Sequence, residues 1–253
     1  MIISVSRLKT FKACRRMYEL KYIHNLEPVQ TPEALETGLS YHQKVEELYK
    51  TGMVDTLDFS KESAMVKAYQ KYIYPNFKMR NVECDFRYDL DDEHTLIGRM
   101  DGMSDHGVLV EHKTTSMEIT EKYEYDLQWD EQLLAYMLIS GTRMVYYTVC
   151  RKPTIRLKKG ETEEEFFNRM VEWYDTDTAS KIRVLEIMRS DEEVESFRKD
   201  LLATLEDMKS CKHFYKNTLH CFRFGRQCEY AGVCLFYDPT QEYIEFTKKE
   251  HET

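Results

Sequence analysis

Several features that define other protein classes are missing from this sequence. It has no run of about 18 apolar residues, the length that a membrane-spanning helix needs. Its N-terminus carries basic residues but no long apolar core before a small-residue cleavage site, so we expect no signal peptide. Internal repeats and low-complexity linkers are also absent. These absences predict a globular protein with no membrane contact, whose default compartment is the cytoplasm.

An overall positive charge, which favours nucleic-acid binding, is missing as well. The formal net charge is −9 at pH 7, and affinity for nucleic acid comes largely from neutralised phosphates. Positive charge is nevertheless concentrated near the N-terminus, where Glu19 is the only acid in the first 21 residues. The composition therefore argues mildly against nucleic acid as a partner, whereas the N-terminal segment keeps that partner open. The basic residues of that segment are Arg7, Lys9, Lys12, Arg15, Arg16 and Lys21.

The seven cysteines are an odd number for a disulfide framework, and the chain of 253 residues is long for a small disulfide-stapled fold. Cys14 stands alone near the start of the chain. Cys221, Cys228 and Cys234 cluster towards its end, separated by six and then five residues. Four thiolates suit a [4Fe–4S] cluster or a structural Zn²⁺, provided that the two parts of the chain meet. The remaining cysteines lie in strand or helix patterns and are predicted core residues: Cys84, Cys150 and Cys211.

Apolar periodicity and turn signals predict helices around a central sheet of mixed pairing, an α/β (α+β) fold. We expect a single domain over residues 1–253, with an N-terminal helical part (1–75), a core (76–175), and C-terminal helices with the cysteine cluster (176–253). The predicted strands are Asn81–Tyr88, Thr95–Met103, Val108–Thr114 and Met144–Cys150. The predicted helices run from Ser4 or Ser6 to about Tyr22, and over Pro32–Tyr49, Lys61–Tyr74, Leu127–Ser140, Thr162–Tyr174 and Asp191–Cys211.

One predicted hairpin, Ile97–Ser116, carries charges where a half-buried strand pair would have apolar residues. Its sequence is IGRMDGMSDHGVLVEHKTTS. Strand alternation places Glu111 and Lys113 on one face, about 6–7 Å apart. A three-residue loop, Asp105–Gly107, ends in the glycine that such loops prefer and sets Asp101 directly opposite Glu111. The turn chemistry therefore favours a register that brings two carboxylates together.

Two carboxylates at cross-strand distance repel each other unless a cation neutralises them. Hard oxygen ligands with open positions suit Mg²⁺ or Mn²⁺. A lysine beside them can stabilise charge on a phosphate or orient a water, and this combination is typical of metal-assisted phosphodiester hydrolysis. The alternative is a solvated hairpin that carries a common surface Glu–Lys pair.

The hairpin residues, GRMDG followed by EHKTT, resemble the core of the PD-(D/E)xK nucleases and, more narrowly, their RecB-type exonuclease branch. The resemblance implies a restriction-endonuclease-like core in which Asp101 and Glu111 hold the metal. The backbone carbonyl between Glu111 and Lys113, which is that of His112, would add a ligand. Lys113 would position or activate the attacking water. Glu111 stands where many RecB-type members have Asp, a variation that the family permits.

Two helical motifs follow in the order of the same branch. In TGLSYHQKVEELY, similar to the family's Gly-x-x-x-His helix, His42 would bind the metal or hold the site together. Glu46, one helical turn later, is a weaker candidate. In QLLAY, which matches the family's Q-x-x-x-Y motif, Gln132 and Tyr136 share a helix face and would contact DNA or order the active-site water. Taken alone, His42 would be a structural histidine and Tyr136 a core residue.

The N-terminal SVSRLKTFKACRRMYEL is similar to the opening of the iron–sulfur-bearing members. The resemblance implies that Cys14, Cys221, Cys228 and Cys234 bind a [4Fe–4S] cluster, which ties the N-terminal helix to the cysteine-rich C-terminal segment. Structural Zn²⁺ stays an alternative, because the family's proline after the first cysteine is absent and the spacing CFRFGRQC is longer than the usual C-x-x-C. Such a tie would constrain the unfolded chain, so we expect the protein to be unstable without this metal.

Together, these motifs predict a metal-dependent DNA exonuclease that acts in DNA recombination, repair or processing. The chain resembles phage recombination nucleases and CRISPR-adaptation nucleases equally, which implies the cytoplasm of a bacterium or of a phage-infected host cell. No G-x-x-x-x-G-K-[ST] motif is present, so we expect linear DNA with a free end, single-stranded DNA, or DNA unwound by another protein. Expected partners are a helicase, a recombinase or a CRISPR-adaptation protein. The expected DNA contacts are the basic N-terminal helix, Arg223 and Arg226.

Two other functions are open at this point. The chain can be a non-catalytic DNA-binding or assembly subunit that keeps the nuclease fold, although the intact set of Asp101, Glu111 and Lys113 argues against this function. It can also be an iron–sulfur redox-sensing protein with a vestigial nuclease site. A coloured, oxygen-bleachable preparation that does not cleave DNA would favour the redox sensor.

Overall fold

The structure, a computed structural model, describes residues 1–30, 33–54, 58–223 and 226–248, and only the backbone of Ala34. The chain divides into two compact units, each of which combines separate segments of the sequence. The single-domain organisation with parts 1–75, 76–175 and 176–253 stays a prediction. The first unit comprises Met1–Pro32, Arg87–Gly98 and Arg198–Thr253, and the second comprises Glu33–Phe86 and Arg99–Phe197.

Strands and helices are numbered along the described residues. The strands are β1 (Ile2–Ser4), β2 (Leu26–Pro28), β3 (Met79–Asp89), β4 (Thr95–Ser104), β5 (Leu109–Thr115), β6 (Met144–Arg151), β7 (Ile182–Met188), β8 (Phe222–Arg223), β9 (Arg226–Gln227) and β10 (Phe246–Lys248). The α-helices are α1 (Val5–Ala13), α2 (Arg15–Tyr18), α3 (Glu33–Thr51), α4 (Lys61–Tyr72), α5 (Glu121–Asp126), α6 (Glu131–Ser140), α7 (Glu163–Glu172), α8 (Asp191–Ser210) and α9 (Ala231–Cys234). A π-helical turn (Glu19–Ile23) follows α2.

A mixed sheet forms the centre of the second unit, in the order β3, β4, β5, β6, β7. β4 and β5 are antiparallel, β5 and β6 are parallel, and β6 and β7 are antiparallel. The parallel pair lies in the middle of the sheet, and most residues of both strands are buried. The predicted α/β (α+β) class, with a central mixed sheet flanked by helices, is confirmed.

Alternate residues of β6 divide the core of the second unit into two layers. Val145 and Val149 belong to the apolar cluster that includes Leu133 and Met137 of α6. Cys150 belongs to the other cluster, together with residues of α3 and α4 that include Tyr41, Val45, Met65 and Tyr69. Because strand side chains alternate between faces, α6 lies on the face of Glu111 and Lys113. The helices α3 and α4 lie on the opposite face.

Two predicted helices differ from the structure, and β7 was not predicted. The helix expected over Leu127–Ser140 is divided at Asp130, whose backbone is extended and whose Oδ1 accepts the Gln132 N–H at 3.0 Å as the cap of α6. The N-terminal helix is divided at Cys14, which is also extended. The sequence patterns do not predict β7, because its run of apolar residues is also compatible with a helix. The expected helix start at Pro32 lies outside the described residues.

Gly102 allows close contact between β3 and β4 at the candidate site. A Cβ atom at this position would lie 2.9 Å from the carbonyl oxygen of Asn81 and 2.7 Å from Met79 Sδ. The methionine can move aside, but the carbonyl oxygen belongs to the backbone of β3. The glycine directly after Asp101 therefore has a packing role in addition to its place in the GRMDG motif.

The first unit has a small core of its own. Leu20, Leu26, Tyr230 and Val233 are its buried centre. Two short strand pairs contribute to this unit: β2 with β10, and β8 with β9. β1 pairs in parallel with Thr95–Ile97 of β4. No helix among the described residues of either unit is long and apolar enough to cross a membrane.

Asp58 stabilises the start of α4, and we expect its contribution to depend on pH. Its Oδ1 accepts the Ser60 N–H at 3.0 Å and the Ser63 hydroxyl at 2.7 Å, and its Oδ2 lies 2.9 Å from Lys44 Nζ. Burial alone would raise the pKa of Asp58, but these hydrogen bonds outweigh burial and lower the pKa well below its usual value.

A lowered pKa in the folded state means that the stabilisation is present above about pH 4 and is lost as the pH falls. We expect Asp58→Asn to reduce the free energy of unfolding by about 1 kcal/mol at pH 7, after allowance for solvent screening. The difference from the parent should shrink below about pH 4. Urea unfolding at several pH values, with the exposed Asp92→Asn as control, measures it. A difference that does not change with pH would contradict the expectation.

Candidate active site

The β4–β5 hairpin has the register that its turn predicts. Gly102 lies opposite Val110. Gly107 ends the loop with a φ of +78°, a left-handed conformation that is strained for residues with a Cβ atom. Asp101 and Glu111 are the next residues on the two strands, and burial and the charge of Asp101 both raise the pKa of Glu111. The predicted three-residue loop is therefore confirmed, and directly facing positions for the two carboxylates stay a prediction.

Asp101 on β4 contacts residues of both α3 and β5. Its Oδ1 lies 3.2 Å from His42 Nδ1, and its Oδ2 accepts the backbone N–H of His112 at 2.6 Å. Burial alone would raise the pKa of Asp101, but the hydrogen bond and the charge of His42 outweigh burial and lower the pKa to about 2. Burial alone would lower the pKa of His42, and Asp101 raises it above its usual value. The pair therefore favours an ionised Asp101.

Glu83 on β3 joins this pair although no motif contains it. One oxygen of Glu83, one oxygen of Asp101 and one ring nitrogen of His42 all lie within 4.8 Å of one another. Glu83 has a φ of +53°, a strained conformation for a residue inside a strand, and such strain concentrates at functional sites. In the sequence, Glu83 is one polar residue of an alternating strand, and no spacing relates it to His42. Sequence reasoning therefore missed it.

A chain of polar contacts leads from Glu111 to α6. Lys113 forms an ion pair with Glu111, and its Nζ lies 3.4 Å from Gln132 Oε1. Gln132 Nε2 donates to the Tyr136 hydroxyl at 2.7 Å, and that hydroxyl donates to the Arg99 carbonyl at 3.1 Å. The structure therefore brings together the lysine of the EHK motif and both polar residues of the QLLAY motif.

Glu111 is a buried carboxylate that a nearby positive charge would stabilise. Burial raises the pKa of Glu111 to about 7, against the opposing effect of the Lys113 charge. Its Oε2 is buried and has no hydrogen-bond partner among the described residues. A buried carboxylate oxygen without a partner is costly. Burial alone would lower the pKa of Lys113, but Glu111 raises it above its usual value, so the lysine is held as a cation.

The residues at this site fit a hard divalent cation. Burial and the charges of Asp101 and Glu46 raise the pKa of Glu83, which shows that negative charge is crowded here. Carboxylate oxygens are the ligands that Mg²⁺ and Mn²⁺ prefer, and an imidazole nitrogen is a suitable addition for Mn²⁺. The residues that could hold the cation are Glu83, Asp101 and Glu111, with His42.

The His112 ring and Glu46, two further candidates from the sequence, make other contacts. The His112 imidazole is buried, with Nδ1 2.5 Å from Thr148 Oγ1 and its ring edge-on to Tyr69. Burial lowers the pKa of His112 to about 4, so the ring is neutral. The main-chain N–H of His112, and not its ring, makes the hydrogen bond to Asp101. Glu46 forms an ion pair with Lys50, one turn further along α3.

The family of the chain follows from a match along nearly its whole length. The model of the PD-(D/E)XK nuclease superfamily matches residues 2–71 and 56–235. The chain belongs to the PD-(D/E)XK nuclease superfamily. The family supports a nuclease activity, and the matched residues include the β4–β5 hairpin, α3 and α6. Among curated protein sequences, none matches this PD-(D/E)XK protein.

Two solved exonuclease structures show a distant similarity. A phage-related exonuclease from Haemophilus somnus 129PT is 11% identical, with a TM-score of 0.38, and the similarity covers 66% of this chain and 78% of that one. An alkaline exonuclease from Laribacter hongkongensis is 15% identical, with a TM-score of 0.30, and the similarity covers 82% of this chain and 91% of that one.

The four cysteines predicted to share a site lie around one cavity in the first unit. Cys14, Cys221, Cys228 and Cys234 line a cavity of about 240 Å³ together with apolar side chains. The backbone N–H of Asn217 points at Cys14 Sγ over 3.4 Å. Burial raises the pKa of the Cys228 and Cys234 thiols, so their thiolates need a cation. In this PD-(D/E)XK protein, the two distant parts of the chain therefore meet as the cysteine pattern requires.

The spacing of these sulfur atoms differs from that of a single-ion site. Tetrahedral Zn²⁺ with Zn–S bonds of about 2.3 Å places its sulfurs roughly 3.8 Å apart. Across the described part of the chain, the cysteines form no group of three whose sulfurs all lie within 4.8 Å of one another. The four sulfurs are therefore not already grouped around a single-ion position.

The basic N-terminal helices of this PD-(D/E)XK protein direct their arginines towards aromatic rings. The guanidinium of Arg7 lies 5.0 Å from the centre of the Tyr22 ring. Arg15 lies 4.9 Å from the centre of the Phe11 ring and forms an ion pair with Asp207. These side chains hold the first unit together, so the expected role of this basic segment in DNA binding stays a prediction.

Proposed function

We propose that this protein is a DNA exonuclease that hydrolyses phosphodiester bonds with a divalent cation, Mg²⁺ or Mn²⁺. The observation that carries the proposal is that Glu83 and Asp101 converge with His42, near the ion pair of Glu111 with the half-buried Lys113. One oxygen each of Glu83 and Asp101 and a ring nitrogen of His42 lie within 4.8 Å of one another, and Glu111 pairs with Lys113 on β5 of the hairpin that carries Asp101. In a chain of a nuclease superfamily, this arrangement supports hydrolysis of a polyanionic substrate.

Asp101 and Glu111 would hold the cation, and His42, Glu83 and the main-chain carbonyl of His112 would be the further ligands. When bound, the cation would act as a Lewis acid on the phosphate and lower the pKa of a water molecule. The low pKa of Asp101 keeps one ligand anionic throughout the neutral pH range. The bound cation would also be a partner for Glu111 Oε2, which has no hydrogen-bond partner among the described residues.

Lys113 would stabilise the negative charge that develops on the scissile phosphate. Glu111 raises the pKa of Lys113, so the side chain stays a cation and donates hydrogen bonds. Gln132 orients it from 3.4 Å, and Tyr136 in turn orients Gln132. A donor held in position before the reaction stabilises the transition state without the cost of reorganisation.

The cysteine site would hold a [4Fe–4S] cluster with a structural role. The support for this part of the proposal is the donor set and the cavity of about 240 Å³ that Cys14, Cys221, Cys228 and Cys234 line. A cluster there would tie the N-terminal helices to the C-terminal segment within the first unit. Structural Zn²⁺ stays the alternative ligand of these four thiolates.

The substrate would be linear DNA with a free end, or single-stranded DNA, in recombination, repair or processing. The chain carries no nucleotide-binding G-x-x-x-x-G-K-[ST] motif, so any unwinding requires a partner such as a helicase, a recombinase or a CRISPR-adaptation protein. The main alternative is a non-catalytic DNA-binding subunit. The polar chain from Glu111 to Tyr136 argues against it, because a binding role does not require a positioned lysine.

Digestion of end-labelled DNA tests this function. We expect the protein with Mg²⁺ or Mn²⁺ to release labelled products from linear single-stranded or double-stranded DNA, and EDTA to stop the release. Covalently closed circular DNA of the same sequence is the control, and we expect it to stay intact. Cleavage of the circle would contradict the exonuclease mode. No cleavage of any DNA by folded protein with divalent cation present would contradict the nuclease function.

A further inference from the structure

Arg99 is a cationic side chain next to the carboxylates Glu83, Asp101 and Glu111, which are called the acidic centre below. It precedes Asp101 by two residues on β4, so strand alternation places both side chains on the same face, about 6–7 Å apart along the strand. Its Nε lies 3.8 Å from Glu83 Oε2, and its side chain is 60% exposed. Arg99 is therefore next to the proposed cation ligands and open to solvent.

Asp85 fixes the orientation of this guanidinium. Its two carboxylate oxygens lie 2.7 Å from Arg99 Nε and 3.2 Å from Arg99 Nη2. Such two-point pairing fixes the plane of the group as well as its position. The backbone of Arg99 is anchored too, because its carbonyl accepts the Tyr136 hydroxyl.

The charges around Arg99 make it suited to an anionic ligand. DNA phosphates that approach Glu83, Asp101 and Glu111 meet crowded negative charge, and Lys113 is already paired with Glu111. Asp85 takes one N–H each of Arg99 Nε and Nη2, so Nη1 and the second N–H of Nη2 are left to donate two hydrogen bonds to a phosphate, and the group stays charged at every working pH. We propose that Arg99 binds a phosphate of the DNA strand next to the scissile phosphate. This inference rests on the proposed nuclease function.

The salt dependence of DNA binding tests this assignment. Dissociation constants for single-stranded and double-stranded DNA are measured with Ca²⁺ in place of Mg²⁺, under conditions in which the DNA stays uncut. The variants are Arg99→Gln and the matched control Arg87→Gln. Arg87 has a similarly exposed side chain, 3.9 Å from Asp89, so both variants remove one exposed and ion-paired arginine.

We expect Arg99→Gln to weaken DNA binding about tenfold at low salt and to reduce the slope of log K against log salt by roughly 0.7 to 0.9, the value for one phosphate contact. Arg99→Lys should restore part of the affinity, because the charge returns without the two-point geometry. In digestion assays, the KM of Arg99→Gln should rise while kcat changes little. Arg87→Gln should match the parent in all three measurements.

Equal salt slopes for Arg99→Gln, Arg87→Gln and the parent would overturn the role of Arg99 and leave the nuclease function standing. Loss of binding without a change of slope would also overturn it, because that result indicates a structural effect. Thermal unfolding of each variant separates misfolding from lost contact. If the parent itself neither bound nor cut DNA, both the nuclease function and the role of Arg99 would fall.

Discussion

Asp101→Asn should reduce phosphodiester hydrolysis by roughly a thousandfold or more, the largest effect that we expect on activity. Within the acidic centre, Asp101 lies between the Glu83–His42 contacts and Glu111. One oxygen of Asp101 lies within 4.8 Å of a His42 ring nitrogen and a Glu83 oxygen, and the charge of Asp101 also acts on Glu111. Asparagine keeps the size of the side chain and an oxygen that can accept the His112 N–H, but it removes the negative charge that a divalent cation needs.

The same substitution should leave folding intact or improve it in the absence of divalent cation, because it removes one of several crowded carboxylates. The measurement is the initial rate of release from end-labelled DNA, together with the thermal unfolding temperature with and without Mn²⁺. Addition of Mn²⁺ should raise the unfolding temperature of the parent and not that of Asp101→Asn. Asp105→Asn, at the exposed turn of the same hairpin, is the control. An active Asp101→Asn would contradict the assignment of this site.

Cys14→Ser should cause the largest loss of stability, roughly 3–5 kcal/mol, together with loss of bound metal. Cys14 comes from the N-terminal helices, whereas the other three cysteines of the cavity come from the C-terminal segment. Its replacement therefore removes the one ligand that would join two distant parts of the chain. Closing so long a loop constrains the unfolded chain strongly, which is why its loss is costly.

Cys211→Ser is the matched control, because Cys211 is partly exposed in the same unit and does not line the cavity. Iron, zinc and sulfide content and the visible absorption spectrum are measured on anaerobically purified protein, and stability is measured by urea unfolding. Zinc in place of iron would contradict the [4Fe–4S] assignment and support the four-cysteine site. Protein without metal that is as stable as the metal-bound form would contradict both.

Some features of the site can be predicted from local sequence rules, and the β4–β5 hairpin is one of them. The glycine at the end of the three-residue loop predicts the register, and the register predicts that Asp101 faces Glu111. Helical spacing likewise places Gln132 and Tyr136 on one face, and the structure joins them by a hydrogen bond of 2.7 Å. Each of these relations spans at most a few residues or one tight turn, so sequence reasoning captures it.

The contacts of Glu83 and Arg99 are features that local sequence rules do not predict. Each has the sequence context of an exposed strand residue, and both lie on strands that sequence reasoning predicted. Their significance depends on which atoms the neighbouring strand and α3 bring to them, and on a left-handed backbone at Glu83 that no local pattern predicts. The unpredicted β7 is a similar case, because its pairing with β6 decides between strand and helix.

The sequence by itself determined the family, the mixed sheet with flanking helices, and the residues of the β4–β5 hairpin, because periodicity, turn chemistry and motif order are local properties. Only the tertiary structure decided that Glu83 joins His42 and Asp101, and that Cys14 shares a cavity with three cysteines some 200 residues away. The physical reason is that these contacts join segments far apart in the chain. Their distances depend on how strands pair and helices pack, and the spacing of residues along the sequence does not contain that information.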